Sequence, residues 1–340
     1  MFYLNIPTTR SLAVVETGEK VLRETPLKGA ILTRVAASHV RFGTFQFLAA
    51  HKDIDAMSKL LDYCIKRHFP EILESPNKVI KFIELVMSKQ IDLIVNWMRV
   101  GFIHGVMNTD NSTICGETID YGPCAFMDQY DHKAVFSSID FQGRYAYGNQ
   151  PATIHWNLVR LTESLLPLID KDESKSLEVA QSTIDSFSNI FNKEWQNMMR
   201  LKLGLTDQSE EDEELIKNLL SWMQSKKPDF TNTFCNLMNN NHANDEEFEE
   251  NDFVEWKKNW KERVNNKDYL NIMKKTNPIL IPRNSLVEEA LHEAETIGKL
   301  DKFNELHKVM VSPYNTEKAP KKYLDTPKRS NVPYKTFCGT

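Results

Sequence analysis

The sequence is poor in glycine: only 12 of its 340 residues are glycine, roughly half the usual share of about 7%. This shortage argues against a glycine-rich barrel or a collagen-like chain, and it favours a mainly helical protein. Paired cysteines are lacking too. The cysteines are odd in number and without the paired spacing of a metal site: Cys64, Cys115, Cys124, Cys235 and Cys338. They predict reduced thiols in a cytosolic protein, because disulfides are rare in that compartment.

An apolar run long enough to span a membrane is also lacking. The most apolar stretch, 90–107, contains Asp92, Arg99 and His104, which a membrane-spanning helix tolerates only for a special purpose. The start of the chain, MFYLNIPTTRSLAVVE, has neither the basic nor the apolar region of a secretory signal. The formal net charge of −5 gives no general attraction to nucleic acid. We therefore expect a cytoplasmic protein without membrane or nucleic acid as a partner.

The residues that are present indicate an α+β protein with a core of ordinary size. Ser11–Glu16 and Lys20–Glu24 flank the turn-competent pair Thr17-Gly18, and the β-rich stretch Gly29–Ala36 follows. This pattern predicts a hairpin and a third strand. Because isolated strands are marginal in water, a small sheet at the start of a chain suggests part of a larger β layer.

From Gly43 onward the apolar residues follow helical spacing. They predict helices over 45–65, one or two consecutive helices over 80–102, and an amphipathic helix from Ile154 to Leu168. The stretches 104–122 and 128–151 between them lack that spacing, and prolines mark an extended C-terminal tail. We predict a partial β lobe over 1–42 and a helical lobe over 43–340, with chemistry placed in the loops.

The most informative loop reads HGVMNTDN, His104–Asn111, with Asp120 nine residues later in IDYG. An acid beside an amide, with a second acid nearby, supplies hard oxygen ligands for Mg²⁺ and one carboxylate that can accept a proton. Kinase-like enzymes use such a set, with an Asn and the Asp of a D-F-G turn on the metal. Asp120-Tyr121-Gly122 matches that turn, and Asn111 matches the amide.

The loop departs from an ordinary kinase in the position of the base. In the kinase pattern the base precedes the metal-binding Asn by five positions, and that position here is Val106, which cannot accept a proton. A conventional small-molecule kinase is therefore disfavoured. Asp110 is the available replacement, so the acceptor would approach from a shifted direction or attack another phosphate.

Two arginines near the end of the predicted third strand are candidates for phosphate binding. Arg34 and Arg41 lie in TRVAASHVR, and a guanidinium group can bind two phosphate oxygens at once. The alternative is a pair of exposed or ion-paired arginines at a strand end.

Several blocks in order along the chain resemble one known family: IPTTRSLAVVETGE, RETPLKGAILTRVAASHVRFGTF, HGVMNTDN with IDYGP, GRYAYGNQPATIHWNLVRL, NPILIPRN and TFCGT. The sequence is similar in these blocks to the SelO (YdiU) family of protein adenylyltransferases, which have a protein-kinase-like fold. The resemblance implies transfer of AMP from ATP to Ser, Thr or Tyr hydroxyls of protein substrates, with Mg²⁺ or Mn²⁺.

The resemblance also implies roles for individual residues. Asp110 would be the base, Asn111 and Asp120 the metal ligands, and Arg34 and Arg41 would contact the nucleotide phosphates, as Asp120 does through the metal. The base beside Asn111 then suits attack on the α-phosphate of a nucleotide bound in the reverse orientation.

Members of this family carry a glycine-rich loop, a phosphate-contacting lysine and its glutamate partner before the block that starts IPTTR. None of these lies within the 340 residues, so we expect a nucleotide site that is only partly present. The alternative function is a non-catalytic remnant that binds nucleotide or protein.

The resemblance suggests a redox role for Cys338, which stands where some members carry selenocysteine. Such members can pair this residue with a cysteine after the D-Y-G turn, where Cys124 lies here. The alternative is a thiol on an exposed tail.

Overall fold

The computed structural model describes residues 1–22, 26–238, 246–315, 320–327 and 334–337. Within them the protein is an α+β structure in which a β ribbon precedes a mainly helical body. This confirms the predicted class and agrees with a kinase-like fold. The division at residue 42 stays a prediction.

The ribbon has two long strands, β1 (Arg10–Leu22) and β2 (Pro26–Val35), which pair antiparallel. The predicted hairpin turn at Thr17-Gly18 is wrong. The register of β1 against β2 shifts between Glu16 and Lys20, and Gly18 has a φ of 76° with open space around it. These residues form an irregularity inside one strand, because a glycine accepts left-handed backbone in a bulge as readily as in a turn. Residues 23–25, which include the end of the predicted second strand, lie outside the described residues.

Both faces of the ribbon carry exposed apolar side chains. Val14 lies opposite Leu32 on one face and Val15 opposite Ile31 on the other, and each of these side chains is at least 49% exposed. A two-stranded ribbon with two apolar faces has the pattern of strands from the interior of a larger sheet.

The helical body begins with α1 (Phe42–Ala50), α2 (Ile54–His68) and α3 (Lys78–Arg99), and a short 3₁₀ turn over Pro70–Ile72 precedes α3. The apolar residues of the predicted helices lie in the core as expected, and Phe45, Phe82 and Ile94 are fully buried. The predicted one or two helices over 80–102 are the single helix α3. It ends at Arg99 with Val100 as its C-cap, and Gly101 follows with a φ of 72°, as expected for a helix C-terminus.

A short hairpin, β3 (Phe102–Ile103) and β4 (Ala125–Phe126), follows α3 and encloses the loop with the chemistry-bearing residues. The next helices are α4 (Gln150–Ile169), α5 (Glu173–Asp185), α6 (Phe187–Lys202), α7 (Asp212–Lys226), α8 (Phe230–Leu237) and α9 (Asn251–Arg263). The C-terminal part adds α10 (Tyr269–Thr276), α11 (Asn284–Thr296), α12 (Asp301–Met310) and the short α13 (Lys321–Leu324), so the predicted extended tail contains a helical turn. Helices α3 and α4 pack on each other, and α1 packs on α4.

Among the described helices, none combines the length and apolar character needed to cross a membrane. Four cysteines lie in the described part of the chain and carry free thiols, with Cys64 and Cys235 buried. Cys338 lies outside the described residues. Burial raises the pKa of the Cys124 thiol to about 11, so this cysteine is a thiol and a weak nucleophile near neutral pH.

Candidate active site

The candidate site is built where the start of α1 meets the loop between β3 and β4. Arg41 forms an antiparallel bridge with Thr113. The Phe42 amide donates to the Ser112 carbonyl (2.9 Å), and the Ile114 amide donates to the Val40 carbonyl (3.0 Å). These bonds fix Arg41, at the N-cap of α1, beside the segment that carries Asp110 and Asn111.

Asp110 and Asn111 lie on a single 3₁₀ turn, Thr109–Asn111. Asp110 is an exposed residue, and its carboxylate lies against Gly43, in the first turn of α1. Next to it, the Thr109 hydroxyl donates to Oε1 of Gln46, also on α1. The turn is therefore held against α1 by the Thr109–Gln46 hydrogen bond and by the contact between the Asp110 side chain and Gly43.

Helix α4 supports the same loop through the side chain of Asn157. Asn157 is fully buried, and its Nδ2 donates to the Met107 carbonyl (3.0 Å) and to Oγ of Ser112 (2.8 Å). Asn157 therefore has a structural role in this loop. The neighbouring Trp156 is 43% exposed, with the Arg144 and Arg160 guanidinium groups 4.8 and 5.1 Å from its ring centre.

Asp120 follows the buried Ile119 and has a left-handed backbone with φ of 64°, a conformation that non-glycine residues adopt rarely and mostly as Asn or Asp. Its side chain is exposed. The segment is fixed to the start of the loop by His104, whose Nε2 lies 2.8 Å from the Ile119 carbonyl. The Val106 amide donates to the other ring nitrogen (3.4 Å), so the imidazole is neutral with its proton on Nε2.

The pKa of His104 gives a test of this link. Burial lowers that pKa, so between the folded value and the unfolded value of about 6.5 the unfolded chain binds the proton and the native protein does not. We expect the contribution to the free energy of unfolding to be fully present above about pH 6.5 and to decrease below it, by up to about 1.4 kcal/mol per pH unit. Urea unfolding between about pH 5 and pH 7.5 measures this slope.

The matched variant is His104→Gln, whose amide can still donate to the Ile119 carbonyl but does not titrate. We expect its unfolding free energy to depend less steeply on pH over the same range. Equal slopes in the two proteins would contradict the assignment of a neutral buried imidazole.

Arg34 lies on the β ribbon, where it is exposed on β2 opposite Ser11. The segment after β2 is nevertheless anchored to the loop, because the Ala37 amide donates to Oε2 of Glu117 (2.9 Å). Of the five residues selected from the sequence, the structure thus brings Asp110, Asn111 and Arg41 onto adjoining segments and ties Asp120 to them through His104.

The donor set fits a hard divalent cation. Nδ2 of Asn111 donates to the Val106 carbonyl (3.0 Å), which leaves the amide oxygen as the atom for a cation, and Asp120 adds a carboxylate. Within the described residues no three His, Cys, Asp or Glu side chains are grouped for metal binding. A cation here would take its other ligands from phosphates and water, as Mg²⁺ commonly does.

A cavity of about 680 Å³ lies elsewhere, between α6 and α7, with Tyr130, Trp195 and Leu220 in its wall. None of its lining residues belongs to the candidate site. The candidate site instead faces outward, as the exposure of Asp110 and Asp120 shows.

Sequence reasoning did not assign roles to His104 and Gly43. His104 stands first in HGVMNTDN, but the sequence does not show that its ring is bonded to the Ile119 carbonyl. Gly43 gave no signal, because its importance depends on the tertiary approach of Asp110.

Comparison with known proteins identifies the family. A family model described as "Protein adenylyltransferase SelO" matches residues 1–311. The chain is 51% identical to the "Protein nucleotidyltransferase YdiU" of Clostridium perfringens (strain SM101 / Type A), over 100% of this chain and 70% of that protein. It is also 51% identical to the protein of the same name from Bacillus cereus (strain ATCC 10987 / NRS 248), over 100% of this chain and 71% of that protein. The chain therefore belongs to the SelO family.

Proposed function

We propose that the protein transfers AMP from ATP to Ser, Thr or Tyr hydroxyls of other proteins. The observation that carries the proposal is the placement of Asp110 and Asn111 on one turn that is bonded to the start of α1 beside Arg41. A proton acceptor, an amide oxygen and a guanidinium group then serve one reacting centre. Family membership supports a nucleotide substrate, since the relatives are named nucleotidyltransferases.

In this reaction the hydroxyl oxygen of the protein substrate attacks the α-phosphorus of ATP. The bond from that phosphorus to the bridging oxygen breaks, pyrophosphate leaves, and the hydroxyl proton passes to the Asp110 carboxylate. Arg41 and Arg34 bind phosphate oxygens and offset the charge that develops on them. Mg²⁺ or Mn²⁺, when bound by Asn111 and Asp120, supplies further neutralisation of that charge.

The test uses ATP labelled at either the α- or the γ-phosphate, with purified protein, Mg²⁺ or Mn²⁺, and a mixture of protein acceptors. We expect protein-bound label from α-labelled ATP alone, and loss of that label when EDTA removes the metal. Transfer from γ-labelled ATP would show a kinase and refute the proposed reaction.

A second candidate is a nucleotide- or protein-binding module without catalysis. The exposure of Arg34 and of both faces of the ribbon favours this binding module. Salt screens a phosphate contact on an open surface, and this reduces the charge stabilisation that catalysis needs. Calorimetry separates the candidates: ATP binding that requires the metal, without transfer of either label, supports the binding module.

A further inference from the structure

We propose that Gly43 is a positioning residue for Asp110, because the missing side chain of Gly43 leaves the space that the Asp110 carboxylate occupies. The inference rests on the proposed function, in which Asp110 accepts the proton. It concerns a residue that never touches the substrate and acts through Asp110.

The geometry is a direct steric contact. A Cβ atom built on Gly43 would lie 2.0 Å from Oδ1 and 3.1 Å from Cγ of Asp110. Ordinary contacts between such atoms are about 3.5–4.0 Å, so any residue larger than glycine requires the carboxylate to leave its present position.

Backbone conformation does not explain this glycine. Gly43 is the second residue of α1 and is absent from the glycines with positive φ, which include Gly101 and Gly105. Alanine is the better helix former at such a position. The contact with Asp110 is therefore the feature of its surroundings that requires the absence of a side chain.

The carboxylate, and not the helix, is the part that would move. Phe42 and Phe45 fix α1 in the core with 0% exposure, and the bond between Thr109 and Gln46 holds the adjoining turn. Asp110 is an exposed residue, and its carboxylate is the free end of a side chain that can rotate. Gly43→Ala should therefore rotate the carboxylate away without unfolding the protein.

The first measurement is AMP transfer by the purified 340-residue chain. A displacement of about 1 Å at a reacting group can lower a rate by about 10²-fold. We expect Gly43→Ala to lower kcat by about that factor and to leave the KM for ATP within about threefold of the parent value, because nucleotide binding does not use Asp110. Unchanged kcat in an active parent background would overturn the inference and leave the proposed function intact.

The second measurement needs no activity. In an Asp110→Ala background the added methyl group has room, so Gly43→Ala should raise Tm by about 1–3 °C through better helix propensity. In the parent background the collision should cancel part of that gain, which is the coupling expected for residues in contact. Equal Tm shifts in both backgrounds would overturn the inference.

The two measurements together separate the possible failures. The Tm shifts of Gly43→Ala and Asp110→Ala could be coupled while the parent shows no AMP transfer. That result would refute the proposed function, and with it the catalytic consequence of the contact between Gly43 and Asp110. Coupling with a kcat loss in Gly43→Ala supports both.

Discussion

Replacing Asp110 with alanine is expected to lower kcat for AMP transfer by about 10²–10⁴-fold, the usual contribution of a positioned general base. Val106 occupies the position of the usual kinase base and has no proton acceptor. Asp110 is the acid on the turn that carries Asn111. Loss of its carboxylate therefore leaves the attacking hydroxyl without an adjoining acceptor in the proposed site.

The loss should appear without loss of the fold. Asp110 is exposed, and substitutions at exposed sites usually change the free energy of unfolding by less than about 0.5 kcal/mol. Thermal unfolding of the variant should match that of the parent closely. A variant that is inactive and also unfolded would say nothing about the base, so the Tm is measured on the same preparation.

The matched control is Asp55→Asn. Asp55 is an exposed acid on α2 that pairs with Lys59 one helical turn later, and such surface pairs contribute little to stability. We expect this variant to retain the parent kcat. Full AMP transfer by Asp110→Ala would contradict the assignment of the base and leave the family membership unaffected.

The helical body could be predicted from the sequence because the apolar spacing of α2, α3 and α4 reports burial on one side of each helix. That signal is local, and Ile83 and Leu158 are fully buried as the spacing requires. The irregular stretch that carries Asp110 was equally visible, since it lacks the spacing. The positions of the candidate residues along the chain followed from these two patterns.

The β ribbon was harder to predict because glycine has several uses. Gly18 marks an irregularity in β1 and not a turn, and a sequence pattern alone does not separate the two. The exposed Val15 and Ile31 have the β-branched composition of a buried strand, so composition indicates a strand without showing what covers it.

The start of α11 shows a different limit. Asn and Ser are residue types that favour the N-cap position, but at this helix Arg283 is the N-cap residue and Asn284 is the first residue of the helix. The Asn284 side chain instead receives a bond from the Phe126 amide (3.2 Å) and donates to the Phe126 carbonyl (2.8 Å). A partner 158 residues away in the chain is beyond local reasoning, because side-chain amides serve either purpose equally well.

Arg283 itself forms a buried ionic cluster next to this contact. It is 1% exposed. Its Nη1 donates to Oδ1 of Asp128 (2.8 Å), and both Nη atoms donate to Asp229. Asp229 is also buried and caps α8 through a bond from the Asn232 amide (2.8 Å). The cluster thus joins the segment after β4 to the starts of α8 and α11.

We expect Arg283→Ala to lower the free energy of unfolding by about 3–5 kcal/mol, because it leaves a buried carboxylate without its cation. Arg283→Met should cost nearly as much although it keeps most of the side-chain volume, which separates the loss of charge from the loss of packing. Arg283→Lys keeps the charge but loses the two-pronged geometry, so an intermediate loss is expected. Urea unfolding of the four proteins measures these differences.

A comparison with an exposed ion pair decides whether burial causes the large loss of unfolding free energy expected at Arg283. Lys302 and Glu289 lie 3.2 Å apart with side chains that are 50% and 57% exposed, so Lys302→Met should cost at most about 1 kcal/mol. Losses of similar size at Arg283 and Lys302 would show that the buried cluster adds little. With the expected difference, the segment after β4 depends on a charge cluster in which Arg283 holds Asp128, 155 residues earlier in the chain, and AMP transfer is expected to be lost when that cluster opens on heating.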